Sequence, residues 1–410
     1  MTSTRMASSV LVASCSVVTY ENSFRRSRTA GYRPVRPPLG VPCGIVPNAE
    51  RDSRAPGHAR STTMAETLRI GLIGAGANTR TRHIPGFQAI EGVELVAVCN
   101  RSPESGHRVA DAFGIGRVET DPEALFRDPD IDAICIGTWP YKHREFVVRA
   151  LEAGKHVLTE ARMAMNAAEA REMLAASKAH PKLVAQIVPG PPELKSWRTV
   201  KRMVADGTLG DIREVHVTVL SGSNIDPSAP LHWRERTEFS GVNVMSYGIY
   251  TEVITRWLGP TKRILADGAT FIKSRVDTET GVAHDIEVPD SLGVFATLES
   301  GARVTYRFST VTPNPVPATG GISIYGSNGT LHWEIGDKMQ FAPVGGALAP
   351  LSPDAGTDID WRVEADFVDS IRTGAPVTLT NFEDGLNYMR MLEATQKSRL
   401  EDRAVDLSEV

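Results

Sequence analysis

Apolar residues fall in short runs through residues 68–188, and each run is followed by a polar stretch with helical spacing. Leu68, Ile70, Leu72 and Ile73 form the first run, which predicts a strand buried on both faces. Runs at 94–99, 131–136, 156–159 and 183–188 repeat it. Between them lie two helical stripes. One is Val109, Ala110 and Phe113, stopped at Gly114; the other is Phe146, Val147, Ala150 and Leu151, closed by Gly154. Asp121-Pro122 caps a short helix, and 166–179 reads as a longer one. This alternation predicts an α/β fold with a parallel, doubly wound sheet and a ligand at the carboxyl ends of its strands.

Beyond Pro192 the rhythm changes. A helix over 197–205 precedes a strand over 211–220. A loop bearing Gly and Pro then runs to Gly241, followed by a helix with Ile249, Val253, Ile254 and Leu258 inward. Strands 292–299 and 302–309 flank Ser300-Gly301, and strands 322–325 and 330–334 flank a GSNG turn, giving two hairpins. Helices at 361–372 and 381–400 close the chain. The pattern predicts a second, α+β domain whose mostly antiparallel sheet carries helices on one face. The expected divisions are 64–190, 191–380 and a C-terminal helix and tail, 381–410, packing back on the body.

Composition narrows the class. The chain has 410 residues, 41% hydrophobic and 23% charged, with net charge −4, so neither nucleic acid nor an anionic membrane is an expected partner. No apolar run approaches the roughly 20 residues of a membrane span. Cys99 and Cys135 lie in apolar runs and read as buried free thiols of a reducing, cytoplasmic setting; Cys15 and Cys43 precede them. Residues 1–63 differ from the rest. They hold nine Arg, no Lys, three acidic residues and six Pro, and they show no periodicity. That segment reads as disordered or non-native. An over-extended start before Met64, an organelle transit peptide and an export signal all fit it.

The candidate chemistry begins at the end of the first strand. Gly74, Ala75, Gly76, Ala77, Asn78 and Thr79 form a glycine-bearing turn into a helix, where a diphosphate meets unpaired N–H groups; an ordinary turn uses the same letters. The second strand ends Cys99-Asn100-Arg101-Ser102 with no carboxylate, which favours NADP over NAD. Arg101 equally fits a solvated helix start. No His, Cys, Asp or Glu group shows metal-ligand spacing: His284 with Asp285, and Glu235 with Glu238, lack it, so no metal is expected.

IGLIGAGANTRTRHIPGF, VAVCNRS, TWPYKH, ALEAGKHVLTE and FEDGLNYMRMLEA, in that order over about residues 68–407, resemble the Gfo/Idh/MocA oxidoreductases, the glucose–fructose oxidoreductase and inositol dehydrogenase family. The resemblance implies a Rossmann domain, a C-terminal domain whose open sheet forms homodimers or homotetramers, and hydride transfer between NAD(P) and a hydroxyl or carbonyl of a sugar, cyclitol or related polyol. It implies that Gly74 to Thr79 hold the pyrophosphate and that Asn100 and Arg101, with Ser102 beside them, face the ribose. It further implies that Thr138, Trp139 and His143 line the nicotinamide half, and that Glu160 lies near the carboxamide. Two departures stand out. The family's Glu-Lys-Pro is Glu160-Ala161-Arg162 here, and Ala161 moves no proton. Ser246 and Tyr250 replace the aspartate and histidine of the later helix, as in the branches where tyrosine is the proposed acid/base. Tyr250 needs a nearby cation to act as a base near neutrality, and Arg162 and Lys142 are the candidates. The alternative for Tyr250 is packing on the sheet. Trp233 and Arg234 fit a sugar face and an anionic group, or a solvated loop. Loss of the lysine also admits a nucleotide-binding sensor without turnover, or an enzyme of no net redox change.

Overall fold

Strand alternation sets both layers of the fold in the computed structural model, which describes residues 67–190, 195–316, 320–356 and 361–410. The segment 1–63, with Cys15 and Cys43, lies outside the described residues. Strands β1 (Leu68–Ile73), β2 (Val93–Cys99), β3 (Val118–Glu119), β4 (Ala133–Ile136), β5 (His156–Thr159) and β6 (Ala185–Ile187) pair in parallel in the order β3-β2-β1-β4-β5-β6. Helices α1 (Ile84–Gln88), α2 (Pro103–Phe113), α3 (Pro122–Arg127), α4 (His143–Glu152) and α5 (Ala167–Ala179) connect them. Ile134 and Ile136 of β4 enter one core and Ala133 and Cys135 the other, so both faces are covered and the strand reads as unbroken apolar sequence. This is the Rossmann order, with its crevice where β1 and β4 diverge.

After α6 (Trp197–Ala205) comes a second sheet. It is built from β7 (Ile212–Leu220), β8 (Thr261–Ala269), β11 (Ser291–Leu298), β12 (Arg303–Ser309), β13 (Gly321–Gly326), β14 (Gly329–Glu334), β15 (Lys338–Pro343), β16 (Ala349–Leu351) and β17 (Val405–Asp406). A separate hairpin joins β9 (Ser274–Val276) and β10 (Ala283–Asp285). Helices α7 (Thr237–Ser240) and α8 (Tyr247–Leu258) lie between β7 and β8, and α9 (Val363–Thr373) and α10 (Phe382–Glu401) precede β17. Pairing is antiparallel except β7 with β12, which run parallel at the sheet centre. On one face, Val215, Val217, Val294, Val304, Tyr306, Ile322 and Ile324 are buried and share the core that reaches Ile134 and Ile136 of the first sheet. The other face exposes His216, Leu265, Phe295 and Tyr325.

The inward stripe of α8 differs from the expected one. Tyr247, Tyr250, Val253, Ile254 and Trp257 are buried, whereas Ile249 and Leu258 sit at the margin. The glycine turn leads into a π turn (Thr79–His83) before α1. Among the described residues no helix is long and apolar enough to cross a membrane, and Cys99 and Cys135 are buried free thiols.

Candidate active site

The glycine turn separates into a structural half and an open half. Gly74 has φ +82°, and a Cβ on it would sit 2.7 Å from Thr138 Cγ2 and 2.8 Å from the Thr138 nitrogen. Gly137 on the facing strand end meets the Gly74 carbonyl just as closely. These glycines let the ends of β1 and β4 touch. Gly76 is different: it is exposed, and a Cβ on it would meet only the Gly137 carbonyl at 3.7 Å. It is therefore at Gly76, with Ala77 and Asn78 exposed at the following helix start, that a diphosphate has room to approach the backbone. The cradle fits a dinucleotide.

Three residues expected to contact the cofactor hold the turn together. The Ala75 N–H donates to Asn100 Oδ1 at 2.7 Å, which occupies both groups. Thr79 is buried, and its hydroxyl donates to the Gly74 carbonyl at 3.2 Å. An uncharged residue at 100 is thus explained by the turn as well as by cofactor choice. Ser102 caps α2, accepting from the Ser105 N–H. Arg101 is exposed and forms a 3.1 Å ion pair with Glu279 from the β9–β10 hairpin.

Glu160, at the end of β5, faces the same crevice. Its Oε1 accepts from Asn78 Nδ2 at 2.5 Å and lies 3.0 Å from His83 Nε2. The other ring nitrogen of His83 is 2.5 Å from Glu364 Oε1, and Trp361 Nε1 donates to Glu364 at 2.8 Å. His83 is wholly buried. Burial opposes its charge, but hydrogen bonds and charge from Glu160 and Glu364 outweigh that and raise its pKa to about 9. Near neutrality it is an imidazolium donating to both carboxylates. Burial raises the Glu160 pKa, whereas His83 and Asn78 more than offset it and hold the carboxyl below its ordinary value. The sequence reading missed His83, Glu364 and Trp361, although His83 stands inside the glycine-turn motif.

The loop after β4 is organised by stacking. Trp139 lies parallel to Trp233, with ring centroids 5.2 Å apart and 11° between planes, and it also touches Tyr141 and Phe239. His143 is fully buried rather than lining the cleft. Its Nε2 is 2.9 Å from the Thr138 carbonyl and its Nδ1 3.0 Å from the Arg162 carbonyl, so it ties the β4 and β5 loops together. Burial keeps its pKa below the ordinary value.

Beyond Ala161 the peptide to Arg162 is cis. The Arg162 side chain is buried and runs across Gly248 of α8, two residues before Tyr250. Its Nε donates to Asn243 Oδ1 at 3.0 Å. Asn243 is fixed in turn, donating to the carbonyls of Ala164 and Ser240. Burial, then the charge of Arg234, draw the Arg162 pKa down to about 10, which leaves it protonated near neutrality. A Cβ on Gly248 would lie 2.7 Å from Arg162 Cδ. Gly248→Ala is therefore expected to displace the guanidinium and lower turnover roughly tenfold or more while leaving cofactor affinity intact. Steady-state kinetics beside a cofactor titration checks this; unchanged turnover contradicts it. Tyr250 is buried with its ring edge-on to Phe308, 5.5 Å between centroids. Lys142 pairs with Glu145 at 2.8 Å, which leaves Arg162 as the stronger candidate for the inner cation. Among the described residues no group of three or more His, Cys, Asp or Glu is placed to hold a metal.

Comparison with known proteins agrees with the two-sheet fold. Residues 68–187 match a family model described as "Oxidoreductase family, NAD-binding Rossmann fold", and residues 197–332 match the "GFO/IDH/MocA C-terminal domain". D-apiose dehydrogenase of Paraburkholderia graminis is 25% identical over 85% of this chain and 92% of its own length. Myo-inositol 2-dehydrogenase of Thermotoga maritima is 23% identical over 84% of this chain and 99% of its own. Among solved structures, levoglucosan dehydrogenase in complex with NADH and L-sorbose superposes with TM-score 0.74 at 21% identity, covering 83% of this chain and 98% of that one.

Proposed function

Because the chain belongs to the GFO/IDH/MocA family of oxidoreductases with an NAD-binding Rossmann fold, we propose that it transfers hydride between a nicotinamide dinucleotide and a hydroxyl or carbonyl of a sugar, cyclitol or related polyol. The observation that carries the reading is the Asn78–Glu160 hydrogen bond. It joins the open amides after Gly76 to a carboxylate at the end of β5, so one extended dinucleotide finds diphosphate donors and a carboxamide acceptor along one rim. The nicotinamide supplies or accepts the hydride when bound. The chain's own residues hold it and move the proton: Tyr250 is the acid/base, and Arg162 supplies the cation that Ala161 cannot. Trp233 offers a face to the sugar. The test is a sugar and polyol panel at saturating NADH, NADPH and their oxidised forms, read by nicotinamide absorbance. Turnover of any member supports the reading; saturable cofactor binding with no redox change across the panel moves it to a sensor or a non-redox enzyme.

NADP is the preferred cofactor in this reading. The Arg101–Glu279 pair is exposed on both sides, and such pairs contribute about 0–1 kcal/mol, so a ribose 2′-phosphate readily takes the place of Glu279. Glu279→Gln is expected to raise NADPH affinity relative to NADH several-fold, and Arg101→Gln to reverse the preference, by fluorescence titration. An NADPH/NADH ratio unmoved by both contradicts the assignment. The outward Leu265 and Phe295, opposite each other on β8 and β11, are read as part of a homo-oligomer contact. Buried free Cys99 and Cys135 carry a cytoplasmic setting.

A further inference from the structure

Two guanidiniums near the β4 and β5 loops, the buried Arg162 and the exposed Arg234, have no carboxylate partner among the described residues. Arg162 is 6% exposed, and the only hydrogen bond of its side chain among the described residues is from Nε to Asn243. Its two terminal NH₂ groups have no partner there, yet they are not sealed from water as Arg256 Nη1 is. Arg234 is held differently. Its Cζ lies 4.3 Å over the Trp233 ring, which itself stacks on Trp139 beside the β4 loop. Its acidic neighbour Glu235 is taken by Arg275 at 3.0 Å, and Arg236 by Glu238 and Asp277, so Arg234 alone of this basic turn has no anionic partner among the described residues. His143 and Asn243 fix Arg162 to the same loops. The stacked tryptophans bring Arg234 to them. Arg234 is close enough to lower the Arg162 pKa and to have its own charge favoured by Glu160.

One cation suffices to favour the alkoxide side of a carbinol. The second has no task in that step, and two like charges, Arg162 buried and Arg234 exposed at the rim, repel each other where nothing negative lies between them. We propose that the substrate is an acidic sugar or cyclitol, of the uronate or aldonate class, whose carboxylate lies between Arg162 and Arg234. This deepens, and rests on, the dehydrogenase reading. Planar guanidiniums match a carboxylate edge-on with paired N–H donors, and Trp233 orients one of them in advance. The charge balance favours a monoanion. Arg162, Arg234 and the His83 imidazolium are positive and Glu160 and Glu364 negative, which leaves one positive charge for the substrate to neutralise.

The test uses the full chain saturated with cofactor and matched pairs: D-glucuronate against D-glucose, D-galacturonate against D-galactose, with D-glucose 6-phosphate as the alternative anion. The expected result is kcat/KM at least roughly tenfold higher for the acid of each pair, carried mainly by KM. In Arg234→Gln that preference falls toward unity, and Arg234→Lys restores part of it. Where no pair is turned over, calorimetric titration into the NADH complex reads the same preference as affinity. Equal or stronger use of the neutral sugars overturns the proposal and leaves the dehydrogenase reading standing. Preference for the 6-phosphate over both uronates overturns the carboxylate assignment. Failure to bind NADH or NADPH at all overturns both readings, and the titration made before any sugar is added separates that outcome from the others.

Discussion

Tyr250→Phe is expected to lower kcat by roughly 10²- to 10⁴-fold while leaving NAD(P)H affinity within about twofold, because the substitution removes only the proton-bearing oxygen. The ring is packed edge-on against Phe308 on a buried helix face, and the phenylalanine keeps that ring contact. A phenol titrates near 10 in water, and a base near neutrality needs positive charge beside it. Arg162 is the group proposed to supply that charge; its stem crosses Gly248 of the same helix. Arg162→Gln is expected to share the loss in kcat and to move the rate optimum to higher pH. Steady-state rates from pH 6 to 10 for both variants check this. Unchanged turnover in Tyr250→Phe removes tyrosine from the reaction and leaves it as a packing residue.

The second large effect is on stability and its pH dependence. His83 titrates at about 9 in the fold against 6.5 when free, so its contribution is fully present below pH 6.5 and is lost as pH rises through 9. That difference corresponds to on the order of 3 kcal/mol. Breaking a buried ion pair by removing one partner costs about as much, since both carboxylates are left without their shared cation. His83→Gln is therefore expected to lower Tm by several degrees at pH 6.5 and to flatten the decline of the parent protein between pH 7 and 9.5. It also frees Glu160 at the nicotinamide end and so weakens cofactor binding. Thermal denaturation of both proteins across that range checks the first point. Parallel Tm–pH curves contradict the imidazolium.

Much of the first sheet was legible because its strands are buried on both faces and are bounded by Gly, Pro and Asp at fixed places. The runs at 131–136 and 156–159 and the cap at Asp121 fall where the structure has β4, β5 and the start of α3. The second sheet was harder. Two hairpins were readable from Ser300-Gly301 and GSNG, but β8 and β15 were not, because each has one wet face and Lys262, Arg263, Asp267 and Gln340 interrupt the apolar pattern. The parallel pairing of β7 with β12 joins residues about ninety apart and has no local signal.

At the site, separation in sequence was again the obstacle. The glycine turn and Glu160 are local motifs, whereas the partner that fixes His83 lies 281 residues away in α9. At Asn100 the letter alone does not separate two uses: it bears on cofactor choice, and its oxygen also holds the Ala75 amide of the turn. At Arg162 the side chain crosses α8 over Gly248, a packing that joins residues more than eighty apart and has no local signal.

The measurement that bears most directly on the central claim is isotope transfer. The full chain is incubated with NAD⁺ or NADP⁺ and with uronates and cyclitols deuterated at their carbinol carbons, and the nicotinamide is examined by NMR. Deuterium at nicotinamide C4, appearing at the rate of turnover and absent with Tyr250→Phe, is the predicted result. A cofactor that saturates the cleft by fluorescence yet keeps only protium at C4 across the panel contradicts it.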